Sequence, residues 1–173
     1  MVIYRQKTPE EEDKLLKKDL VGLLRAVLVL AALAGGLAAF WVAPTIGKEF
    51  AGGLPEAAWL YWPCLIWIWV LAGVYFWGVG VGFGIVGDIA RDRSFTGQNA
   101  ARLMLIAKLA LTDAVLVGAG TAALLAIGYM HPGVLMLFAA VMMAGLAMTV
   151  VSASLSRLTE KAALLQSESD LTV

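Results

Sequence analysis

Only one cysteine, Cys64, and one histidine, His131, occur in the 173 residues. A lone thiol cannot form an internal disulfide, so a disulfide-framed secreted scaffold is excluded. Charge is missing over long runs: residues 26–47, 57–87 and 114–156 contain no Asp, Glu, Lys or Arg. Such runs cannot cover a water-soluble globule. Thirteen acidic and thirteen basic residues cancel, so no net field draws the chain to nucleic acid, and direct nucleic-acid binding is not expected. Period-two alternation is also missing, which excludes barrel strands in a membrane. Paired carboxylates, a Ser–His pair and metal-ligand spacing are all lacking, so the chain reads as a non-enzyme with no catalytic residue, metal or cofactor.

What is present is apolar: 61% of residues are hydrophobic and the mean hydropathy is +0.83. Backbone polar groups in lipid must be satisfied internally, which leaves helices. About 20 helical residues cross the roughly 30 Å hydrocarbon core. The three charge-free runs therefore hold four spans, at about 20–43, 59–86, 103–129 and 133–156, the last two hinged at His131-Pro132-Gly133. The expected architecture is all-α: a polytopic four-transmembrane-helix bundle. Residues 1–19 form a charged helical lead-in, with Thr8 as cap and Pro9 in the first turn, and residues 157–173 form a tail.

Orientation follows from the basic residues. Ten flank the two termini and the 88–102 connector, whereas Lys48 alone lies in the opposite loops. The positive-inside rule then puts both termini and the connector in the cytoplasm, and the expected location is the plasma membrane. Trp41, Trp59, Tyr61, Trp62 and Tyr129 fall at the outer edge, where amphipathic rings sit. The outer loop from Pro44 to Ala58 is rich in turn formers.

Several polar residues call for a role. Asp113 is the carboxylate deepest in an apolar run, and Arg25 sits just inside the first span; buried charges tend to pair, so an Arg25–Asp113 ion pair is expected. Lys108 can snorkel to the headgroups. Gly82-Phe83-Gly84-Ile85-Val86-Gly87 matches a dinucleotide fingerprint literally, but it ends a membrane span and has no βαβ unit around it. A packing stripe of Gly73, Gly80, Gly84 and Gly87 on a central second span is the better reading. Cys64, Met130 and His131 share no ligand spacing, and the methionines of the fourth span are packing residues.

The segments SFTGQNAARLMLIAKL and KAALLQSESDLTV together resemble the bacterial domain-of-unknown-function 2975 family. The matching positions are Phe95, Thr96, Asn99, Arg102 and Leu103, then Leu165, Gln166, Glu168, Asp170, Leu171, Thr172 and Val173. The resemblance implies a four-span membrane protein without a settled activity. Its members stand frequently beside small helix-turn-helix regulators, which implies a membrane anchor or inhibitor for such a regulator. A docking surface is accordingly expected on Arg91, Arg93, Phe95, Thr96, Asn99 and Arg102, with Gln166, Glu168 and Asp170 of the tail. The bilayer, a cytosolic regulatory protein and a second copy of the chain are the partners in view. The alternative is a small transporter or channel subunit using Asp113.

Overall fold

The computed structural model describes residues 9–91, 93 and 95–171, with side chains from Leu15 onward except at 166 and 169–171. Among the described residues every regular element is helical. Helix α1 runs Pro9–Leu37, followed by a π-helical turn Ala38–Val42, α2 Ala43–Gly53 and a 3-10 turn Pro55–Leu60. Helices α3 Tyr61–Ala90, α4 Gly97–Ile127 and α5 Pro132–Leu171 follow. Four helical segments, Leu15–Gly53, Pro55–Ala90, Gly97–Ile127 and Pro132–Leu165, are long and apolar enough to cross a membrane. The Thr8 cap lies outside the described residues.

The expected outer loop proves largely helical. Pro44 falls in the first turn of α2, where a missing N–H is tolerated. The π-helical turn before it absorbs the lost hydrogen bond. Ala43 N–H donates to Ala38 O, five residues back, and Pro44 has no N–H to offer Ala39. The Ala39 carbonyl instead accepts Trp69 Nε1–H from α3 at 3.3 Å. The chain finally turns at Leu54, between Gly53 and Pro55. At the far end of α4, Gly128 takes φ +86°, a left-handed helix stop that suits glycine. The expected hinge follows it, where His131 Nδ1 accepts Gly133 N–H at 3.1 Å.

The helices pack in chain order: α1 on α3, α3 on α4, α4 on α5, and among the described residues α1 does not pack on α4 or α5. An edge-to-face pair, Trp67 and Phe138 at 5.7 Å, adds a side-chain link from α3 to α5. The second span, α3, is thus flanked by α1 and α4. Small residues are buried on α4 and α5, among them Ala100, Ala107, Ala114, Ser152 and Ser156. A Cβ on Gly145 would lie 3.3 Å from Ala114 Cβ and 3.4 Å from Ala110 O; small residues of this kind let helix backbones approach closely. Ser156 Oγ–H donates to Ala100 O across the α4–α5 interface at 2.7 Å. Between the charged connector end and the Leu54 turn, the large exposed side chains on the other faces are those a bilayer covers.

The assigned glycine stripe behaves differently from expectation. A Cβ on Gly73, Gly80 or Gly87 would meet nothing within 4 Å, so these three face away from the neighbouring helices. Close approaches occur elsewhere: Gly82 under Leu28, Gly35 under Tyr75, and Gly120 under the Trp67 indole. Bulky side chains seated on glycines, not glycine against glycine, set these contacts.

Candidate functional site

The connector between α3 and α4 is built by short-range hydrogen bonds. At the end of α3, Asp88 O accepts both Arg91 N–H and Arg93 N–H, each at 3.0 Å. Thr96 is extended and caps α4, its Oγ1 accepting Asn99 N–H at 3.3 Å, the arrangement its position before the helix leads one to expect. Asn99 Nδ2–H donates back to Arg93 O at 2.8 Å. Asn99 itself is 1% exposed.

Arg102 closes the structure from one turn further along α4. Its Nη1 donates to Gly84 O at 3.0 Å and pairs with the Asp88 carboxylate. Gly84 belongs to this contact, because a Cβ there would stand 3.3 Å from Arg102 Cζ. One guanidinium therefore ties the last turns of α3 to the first turns of α4. The sequence signal for the pair was two opposite charges flanking a short connector.

The expected docking residues thus divide into two groups. Arg91, Arg93 and Phe95 are exposed at the tip, Phe95 by 60%. Asn99 is buried and Arg102 is committed to Asp88, so these two brace the tip from behind instead of presenting a surface; Thr96 holds the cap. In the tail Glu168 is exposed on α5, which stays helical to Leu171. The side chains of Gln166 and Asp170 lie outside the described residues.

Arg25 and Asp113 are not brought together. Contacts between Leu28 and Gly82 set Arg25 level with about Ile85, whereas Leu109 on Gly78 and Gly120 on Trp67 set Asp113 level with about Val74. Eleven residues of helix separate the two levels, about 16 Å, and among the described residues α1 does not pack on α4. Asp113 Oδ1 is enclosed without a hydrogen-bond partner. The threonine hydroxyls of α4 are taken up by their own helix: Thr112 donates to Lys108 O at 2.9 Å and Thr121 to Val117 O at 2.7 Å. Among the described residues no group of His, Cys, Asp and Glu could hold a metal.

The connector and α4 lie inside a segment, residues 45–173, that matches the family described as "Protein of unknown function (DUF2975)". The chain belongs to this family. A relative outside this chain, the uncharacterized membrane protein YoaS of Bacillus subtilis (strain 168), is 23% identical over 152 residues, covering 87% of this chain and 95% of YoaS. No solved structure matches. The residues that carry the family resemblance in the connector are, apart from Phe95, largely the ones that brace it.

Proposed function

We propose that this family member is a non-enzymatic, membrane-anchored regulatory or adaptor protein of a bacterial inner membrane. It acts through its cytoplasmic connector face on a cytosolic protein, with a helix-turn-helix regulator as the candidate. The observation that carries this reading is the connector tip. Two arginines and a phenylalanine are exposed together on a turn held by Thr96, Asn99 and the Arg102–Asp88 pair. Rigid presentation lowers the ordering cost of binding, and arginine and aromatic side chains are the usual anchors of an interface. The test is a photoreactive amino acid at Phe95 in native membranes. A discrete protein adduct that disappears in Arg91→Glu/Arg93→Glu supports the reading, and the absence of any adduct rejects it.

A small transporter or channel subunit ranks second, and the enclosed, unpartnered Asp113 Oδ1 is what favours it. Thr112 and Thr121 add little, since their hydroxyls bond their own helix and point to different faces. Ion-driven uptake into proteoliposomes that is lost in Asp113→Asn would place this reading first.

A further inference from the structure

One level of charge runs across the bundle at the connector end. Arg25 is level with Ile85, close to the Arg102–Asp88 pair, and Arg157 follows Ser156, which bonds Ala100 at the start of α4. Beyond Arg25 toward the other end, residues 26–47 carry no charge. Helix α1, however, begins at Pro9, and so projects about 24 Å past the charged level on the connector side. Leu16, Leu20 and Leu23 on this projection are 68%, 51% and 62% exposed. Lipid tails cannot cover Leu16, about 13 Å beyond Arg25. Nor can the projection lie flat in the interface as an amphipathic anchor does, because α1 is unbroken from Pro9 to Leu37.

These leucines open a regular row. Positions 16, 20, 23, 27, 30, 34 and 37 alternate steps of four and three, hold Leu, Leu, Leu, Val, Leu, Ala and Leu, and are all exposed. This is the a/d spacing of a coiled coil. The row that faces α3, with buried Val21 and with Leu28 and Gly35 in contact, is shifted by one residue, about 100° round the helix. A second helix can therefore seat on the a/d row without displacing α3. Leucine occupies the d positions 16, 23, 30 and 37, and Leu, Val and Ala the a positions 20, 27 and 34. By spacing, Glu12 then falls at g and Lys17 at e. In a parallel pair, g of one helix meets the e position five residues on in the other, so Glu12 and Lys17 match in charge twice per dimer. Two copies inserted the same way run parallel by necessity.

We infer that α1 is a dimerisation helix, along which a second copy of this chain packs in parallel through Leu16, Leu20 and Leu23 and the row that continues into the membrane. The inference does not depend on docking at the connector. It is tested with the full-length chain carrying Cys64→Ser, reconstituted at high lipid-to-protein ratio and oxidised with copper phenanthroline. Leu16→Cys, Leu20→Cys and Leu23→Cys should give disulfide-linked dimers, while Lys14→Cys and Lys18→Cys, at b and f, should not. Equal yields at all five positions, or none at any, overturn the inference. Cross-linking of Leu20→Cys to Leu158→Cys in preference to itself would seat the other copy's α5 on the row and also overturn it. Glu12→Lys should lower the Leu16→Cys yield several-fold, and adding Lys17→Glu should restore it. An unchanged yield in Glu12→Lys would rule out the register that sets Glu12 against Lys17.

Discussion

Arg102 bonds two helices with one side chain, and its removal is the most informative single substitution at the connector. Arg102 and Asp88 are 29% and 14% exposed in their side chains, so water screens the pair only partly. Arg102→Ala strands the Asp88 carboxylate and removes the donor to Gly84 O; a loss of about 2 kcal/mol is expected. Asp88→Asn keeps a hydrogen-bond acceptor and should cost less. Thermal unfolding followed by circular dichroism in detergent checks the order. Gly84→Ala should also destabilise, because its methyl crowds the guanidinium. Gly80→Ala, facing open space, should instead be neutral or stabilising by up to about 1 kcal/mol from helix propensity. The reverse order would break the assignment of Gly84 to Arg102. Which glycine matters was not legible from residue types: a stripe of glycines at helical spacing does not reveal which member lies beneath a neighbour. Arg25 and Asp113 were misjudged for the same reason. Depth read from the ends of two apolar runs has no common origin until the register between the helices is known.

The long α1–α2 rod is held at its irregular point by a side chain from another element. Trp69 supplies the hydrogen bond that Pro44 withholds from Ala39, at a part-buried point of a helix apolar enough to cross a membrane, where backbone groups need partners within the protein. Trp69→Phe should therefore destabilise by about 1–3 kcal/mol, the cost of an unsatisfied buried carbonyl. Pro44→Ala in the same chain returns a backbone N–H and should recover part of that loss, whereas Pro44→Ala alone should be mild. Denaturant titration of the four variants gives the coupling; purely additive effects would mean that Trp69 and Pro44 do not share the carbonyl. Charge-free runs made the spans legible, because length and polarity alone decide whether a helix can cross a bilayer. Thr96 and His131-Pro132-Gly133 were readable as cap and hinge, since these residues act through their own backbone neighbours, whereas the helix stop at Gly128 fell inside the expected span. Pro44 and Gly47 looked like loop residues, yet they sit in a helix. What tolerates Pro44 is a π-helical turn and a tryptophan 25 residues further along the chain, and no local pattern announces either.

Packing in chain order gives the whole molecule two distinct ends. The start of α1, the 91–96 connector and the end of α5 share one end; the Leu54 turn and the 128–131 turn share the other. Basic residues divide along the same line, with Arg91, Arg93, Arg102, Arg157 and Lys161 at the connector end and Lys48 at the other. An excess of this size on short segments sets insertion direction. In a Cys64→Ser background, Lys48→Cys should react with a membrane-impermeant maleimide in intact cells, while Arg93→Cys should react only after the membrane is opened. The opposite pattern would turn the connector outward, and Phe95 with its arginines could then meet no cytosolic protein. The coiled-coil row on α1 would survive that outcome, because copies inserted alike stay parallel whichever way they face. Labelling thus separates the docking proposal from the dimer.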